Sequence, residues 1–217
     1  MKVNQNFIVL DVETGHFDPR TALLTQIGFI VIDGFTMQEK YKYNTYIYPY
    51  DEQHYISKDA ANLTGITIEK LKKEGKPLKV VLDEISNIWK GFKVSYYLPV
   101  LVGHNISFDQ MFLEYVFDYI YGKGTGKNGV CKMYDFVLKS SIDTMVLARQ
   151  KFINDEVPNF KLETIGEYLG IQNASAHDAF ADVEQTADIF RYFMNCMRND
   201  GIGGVQTIQR KEMSFQF

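Results

Sequence analysis

Five residues carry the chemistry open to this chain: Asp11, Glu13, Asp109, His177 and Asp182. The first two lie in FIVLDVETG at 7–15, the third in LVGHNISFD at 101–109, and the last two in SAHDAFADVEQT at 175–186. Phe7 to Leu10 is an apolar run that ends in Asp11, Val12 and Glu13, with Gly15 closing it. Strand side chains alternate faces, so Asp11 and Glu13 point the same way. Two carboxylates side by side at the end of a buried strand repel each other and are costly to desolvate, so the pair calls for a cation or a shared proton. Hard oxygen ligands in this number suit a pair of magnesium or manganese ions, whereas zinc prefers nitrogen and sulfur.

The third segment gives the arrangement a direction. His177 and Asp182 are five residues apart, which on one continuous helix would separate them by about 140°. They could not then face one site, so His177 belongs to the approach and Asp182 to the first helical turn or just after it. Ser175 or Asp178 is the candidate cap, and the helix dipole tolerates the Asp182 charge there. Asp109, two residues after Ser107 as the expected N-cap, occupies a comparable place on an earlier helix.

Strands and helices must hold these residues in place. FIVLDV at 7–12, LTQIGFIVID at 24–33 and KYKYNTYIYPY at 40–50 carry strand-forming residues and are separated by Gly15, Asp18, Pro19, Asp33 and Gly34, all turn formers. They predict an antiparallel meander whose third strand, with Lys40, Lys42 and Asn44 on one face and Tyr41, Tyr43 and Thr45 on the other, is the more exposed. Ser57 and Thr67 are expected N-caps, and Pro77 opens a longer helix reaching Trp89. The segment 96–105 contains a short buried strand ending at His104 and Asn105; helix follows over 107–119. SSID at 140–143 reads as a last strand edge, followed by helices at TMVLARQ, at LETIGEYLG up to Gly170, and over 178–197. Strands in a meander, then strands alternating with helices, give an α/β mixed sheet flanked by helices.

Size and charge narrow the partners. The 217 residues are 46% hydrophobic with a formal net charge of -4, enough for one domain and too acidic for a stripe that holds long duplexes by counterion release. Cys131 and Cys196 are far apart without a CxxC, which disfavours a disulfide scaffold or structural zinc and suits a reducing, cytoplasmic setting. No apolar run reaches membrane-spanning length, and the start is too short in apolar residues for a signal peptide.

Taken together, DVETG, GHNISFD and HDAFADVEQTADIF resemble the three motifs of the DEDDh exonucleases, the DnaQ-like family of polymerase proofreading subunits and RNase T. ITIEKL, DTMVLAR and LETIGEYLG are also similar to family sequences, so the resemblance covers about residues 5–197. It implies an RNase H-like fold with a mixed five-stranded sheet and the removal of nucleotides from single-stranded 3′ ends by two-metal hydrolysis. On that resemblance, Asp11 bridges both ions, Glu13 and Asp182 help hold the ion that activates water, Asp109 serves the second, and His177 is the general base. Thr14, the backbone around Gly15, and Asn105 are implied contacts to the terminal nucleotide. DNA is the expected substrate; an RNA-trimming enzyme and an idle nucleic-acid-binding module of the same fold are the alternatives.

Other features carry plainer expectations. His104 fixes a strand end by hydrogen bonding, while His16 and His54 are read as ordinary surface residues. Phe108, Phe112, Phe180 and Phe190 belong to the core, although a ring near the site could stack on a base. YGKGTGKNGVCKMY at 121–134 reads as a surface turn, with a basic loop touching a polyanion as the alternative. The domain is expected over 1–199, and 200–217 forms a tail that either packs on its own domain or docks on a polymerase or sliding clamp.

Overall fold

The computed structural model describes residues 5–171 and 179–200. Five strands form one sheet: β1 (Phe7–Thr14), β2 (Leu24–Ile32), β3 (Glu39–Tyr46), β4 (Val100–Gly103) and β5 (Ile142–Asp143), in the order β3-β2-β1-β4-β5. β1, β2 and β3 pair antiparallel, as the meander requires, and β4 and β5 add in parallel. Parallel neighbours need crossovers, and helices supply them. α1 (Lys58–Thr64), α2 (Ile68–Glu74) and α3 (Leu78–Gly91) lead to β4, and α4 (Ile106–Tyr121) leads towards β5. α5 (Thr144–Phe152), α6 (Leu162–Leu169) and α7 (Ala179–Asp200) complete the chain. The expected mixed five-stranded sheet flanked by helices is the observed fold.

The period of two along β1 divides the core. Ile8, Leu10 and Val12 face α3 and α4, where Ile85, Trp89, Phe112 and Val116 cover them. Val9 points the other way, into a cluster with Val183, Ala187 and Phe190 of α7. β2, between β1 and β3, is buried along all nine residues. β3 is the exposed edge, with the expected alternation: Lys42 reaches Glu184 of α7 at 2.8 Å, while Tyr43 stacks on Phe29 and donates to Glu84 of α3.

Local signals set most boundaries. Ser57 and Thr67 accept from Ala60 and Lys70 N–H as N-caps, and Gly170 ends α6 in the left-handed region at φ 70°. Asn105, not Ser107, caps α4: it turns the chain at φ 67°, ψ 41°, so the helix begins at Ile106. The left-handed region is open to few residues other than glycine, and asparagine tolerates it better than most. β3 stops at Tyr46, short of the expected residue 50, because the chain then leaves the sheet to bond Tyr48 N–H to the Lys76 carbonyl. The tail at 201–217 and the approach to α7 at 172–178 lie outside the described residues.

Gly28 controls how closely α7 approaches the sheet. It lies opposite Asp11 in the β1–β2 register, and a Cβ placed there would meet the Ala179 carbonyl carbon and oxygen at 3.3 Å. The side chain of Gly28→Val would therefore push the start of α7 away from β1. It should destabilise the protein by about 1–3 kcal/mol, the usual effect of overpacking. Urea unfolding checks this, and an unchanged midpoint would show that Gly28 does not set the approach of α7.

Candidate active site

The sheet brings three of the four acids together. Carboxylate oxygens of Asp11, Glu13 and Asp182 lie within 4.8 Å of one another, all three residues half-buried. Asp11 and Glu13 come from one face of β1, and Asp182 from the first turn of α7, where the helix N-terminus favours its charge. Three carboxylates at this spacing repel strongly once partly desolvated. An all-oxygen, anionic donor set fits a hard divalent cation, so these residues fit magnesium or manganese.

Asp109 is placed differently. It is only 3% exposed, and its Oδ1 accepts the Val12 N–H at 2.9 Å. β4 pairs with β1 no further than Val9↔Val102, so beyond the last rung a helix carboxylate takes a backbone donor that no strand covers. Asp109 thus stands behind the β1 backbone and outside the group formed by Asp11, Glu13 and Asp182. Burial raises its carboxyl to about 8, with repulsion from Asp143 adding to the shift and the N–H groups of Val12 and Asp109 itself opposing it. A buried acid so far above the usual carboxylate range gains from a nearby cation. His177 lies outside the described residues.

The softer assignments acquire local roles. Thr14 donates its hydroxyl to the His16 carbonyl. Gly15 donates its N–H to the Leu23 carbonyl at 2.7 Å, and its carbonyl accepts the Ser57 N–H. Any Cβ on Gly15 would sit 2.0 Å from the Tyr55 carbonyl oxygen, so glycine is required for the close approach. Asn105 is exposed, and its N–H donates to Asp143 Oδ1 at 3.0 Å.

His104 behaves as expected. Its Nε2 lies 2.8 Å from the Phe160 carbonyl and its Nδ1 2.9 Å from the Thr144 hydroxyl. Burial lowers its pKa, and a carbonyl can only accept, so the neutral ring carries its proton on Nε2. The residue ties the end of β4 to α5 and to the segment before α6.

His54 departs from the surface role expected for it. It is 5% exposed, with Nδ1 2.8 Å from both Asp51 oxygens and Nε2 3.1 Å from the Tyr115 hydroxyl of α4. Burial works against the Asp51 carboxylate, yet hydrogen bonds from the Tyr119 hydroxyl, the His54 ring and the His54 N–H hold it down at about 2. The Asp51-to-His54 spacing is a sequence signal for this, since Asp51 Oδ1 also accepts from the Gln53 and His54 N–H groups in a local turn. Asp143 is a second residue that the motifs did not single out. It caps α5 through Met145 N–H, holds Asn105, and adds its charge near Asp109. Phe17, directly after the Gly15 turn, is 86% exposed, with its ring edge-on to Phe108 at 6.3 Å.

Comparison with known proteins agrees with this geometry. The chain is 29% identical over 207 residues to a DNA polymerase III of PolC type from Thermotoga petrophila, covering 95% of this chain and 13% of that protein. A PolC-type polymerase from Caldanaerobacter subterraneus is 27% identical over 202 residues, covering 93% and 12% respectively. The chain thus spans roughly an eighth of the length of these curated relatives. Exonuclease I of E. coli, solved in complex with a dT13 oligonucleotide, superposes with a TM-score of 0.72 at 21% identity, over 91% of this chain and 42% of that one. It shares the fold. The exonuclease model named for RNase T matches residues 8–190, most of the sequence, and the chain therefore belongs to that exonuclease family.

Proposed function

We propose that this chain is a 3′→5′ exonuclease of the DEDDh type that acts on single-stranded ends, DNA foremost, and releases nucleoside 5′-monophosphates. The observation that carries this reading is the convergence of Asp11, Glu13 and Asp182 within 4.8 Å, with Asp109 buried behind Val12. DNA is favoured because the relatives described above are DNA polymerases and the solved neighbour holds a DNA oligonucleotide. The catalytic domain corresponds to residues 1–199, and 200–217 is an appendage that could engage a polymerase or sliding clamp. The working setting is the cytoplasm; among the described residues no helix is long and apolar enough to cross a membrane.

Asp11, Glu13 and Asp182 would hold one magnesium or manganese ion, and Asp11 with Asp109 a second. When bound, such a pair supplies a water of lowered pKa and stabilises charge on the attacking and leaving oxygens. The protein's own residues do the rest. His177, in the approach to α7, takes the proton from the attacking water. Gly15 lets the Tyr55 carbonyl pack under the turn, and that turn presents Thr14 and Phe17 to the terminal nucleotide. Phe17 and Phe108 offer ring faces on which a base can stack, a contact indifferent to sequence. Asn105, fixed by Asp143, lies beside the same nucleotide.

His177→Ala should lower the turnover of labelled single-stranded DNA by about 10²–10⁴ with little change in KM, the range expected for loss of a general base. Asp11→Ala should cost more, because it removes a ligand shared by both ions. Matched 3′-labelled DNA and RNA oligonucleotides, digested side by side with Mg²⁺, with Mn²⁺ and with EDTA, test the whole reading. Faster loss of DNA in either metal and none in EDTA is expected; both oligonucleotides surviving intact in both metals would sink it.

Asp109 yields a stability test independent of turnover. A carboxyl whose pKa is raised on folding from 3.8 to about 8 binds its proton more tightly in the folded state. Its contribution is complete below pH 4 and is lost as pH rises through 8. In EDTA, the wild-type protein should lose stability over that interval, whereas Asp109→Asn, which keeps an acceptor for Val12 N–H, should show a flatter profile. Chemical denaturation across the pH range measures it, and parallel profiles for the two proteins would remove Asp109 as the cause.

A further inference from the structure

The end of the sheet opposite the carboxylates carries a second feature. Lys90 and Lys93 at the end of α3, Tyr96, Lys127, Asp135 and Phe136 border a groove of about 380 Å³. All three lysines are exposed, and among the described residues none of them pairs with a carboxylate. Elsewhere lysines on this acidic chain do find acids: Lys40 with Asp33, Lys42 with Glu184, Lys76 with Glu84 and Lys79 with Asp83. The one acid among the lining residues, Asp135, accepts the backbone N–H of Lys127 at 2.8 Å. Three lysines against one carboxylate leave the concavity net positive, which favours an anion.

Tyr96 points to the kind of anion. It is 91% exposed at the tip of a tight turn closed by reciprocal hydrogen bonds between Val94 and Tyr97. With Phe136 it adds aromatic surface beside lysine charges, the combination that tracks a phosphate backbone and stacks bases without reading sequence. Lysine, a point charge without the fixed fork of arginine, suits a phosphate whose orientation varies.

We propose that this groove is a secondary binding site for single-stranded nucleic acid, gripping the strand upstream of the 3′ end held at Asp11. The inference rests on the exonuclease reading for the identity of the polymer. Gln5, which donates to the Leu98 carbonyl at the groove, lies two residues before β1 and six before Asp11. That separates the two sites by at least about 20 Å at ~3.3 Å per strand residue. A stacked strand rising about 3.4 Å per nucleotide needs at least about six nucleotides to cover it. Long substrates therefore feel the lysines, and a dinucleotide does not. The 121–134 loop, which contributes Lys127, thereby acquires a role beyond that of a surface turn.

The test compares wild type, Lys90→Ala/Lys93→Ala/Lys127→Ala and Tyr96→Ala on thymidine dinucleotide and on an oligothymidylate of about 20 nucleotides. For the triple variant we expect KM on the long strand to rise about tenfold at constant kcat, with dinucleotide kinetics unchanged. Direct binding of the long strand in EDTA should weaken in step, and its log–log salt slope should shallow by about 2, at ~0.7 for each phosphate that a lysine no longer neutralises. Tyr96→Ala should weaken long-strand binding with the salt slope retained. Unchanged long-strand binding and slope in the triple variant would overturn the proposal, as would equal losses on both substrates. Should neither substrate be cleaved by any form while the triple variant still loses long-strand binding, the exonuclease reading falls and the groove stands.

Discussion

Strand β1 is buried on both faces, and its alternation sends two kinds of residue in two directions. Ile8, Leu10 and Val12 go to the α3–α4 side; Val9, Asp11 and Glu13 go to the α7 side. Each fully buried aliphatic side chain contributes about 1.5–3 kcal/mol, and Ile8, Val9 and Leu10 are at most 1% exposed. That anchoring fixes the register of the strand, since a slip of one residue would turn Asp11 and Glu13 into the α4 core. Everything else at the site is arranged around where those two carboxylates emerge.

The consequence is a cluster of acids held together against their own repulsion. Asp182 arrives from α7, which can approach because Gly28 presents no side chain to Ala179. Asp109 arrives from the other side and is bound to the backbone of Val12 between the two opposing sets of side chains. Neighbouring acids in a folded protein normally separate or become protonated. In this protein the sheet and two helices hold the group at the edge of the core, and burial raises the carboxyl of Asp109 above the usual carboxylate range.

Tight supports surround this centre. His54 links Asp51 and Tyr115, so the segment that lies under Gly15 is tied to the helix that carries Asp109. His104 links β4 to α5 on the other flank, and Asp143 links β5 to Asn105. Three residues of types that resemble catalytic groups in isolation thus serve as braces, because each is tied by a polar atom to a partner from another part of the chain.

Strand and helix order, the shared face of Asp11 and Glu13, the caps at Ser57 and Thr67, and the family were all legible along the chain, since these depend on periods of two and 3.6, on local capping and on short motifs. The burial of His54 was not, because a histidine three residues after an aspartate looks the same exposed or enclosed until Tyr50, Tyr115 and Tyr119 are packed around it. Nor do the residues themselves show that Asn105 rather than Ser107 starts α4, a choice that rests on the left-handed backbone Asn105 takes between β4 and the helix. The family motifs already implied that Asp182 joins Asp11 and Glu13, but it took packing in three dimensions to bury Asp109 against the Val12 N–H, because burial depends on which distant groups share a space, and spacing along the chain holds no record of that.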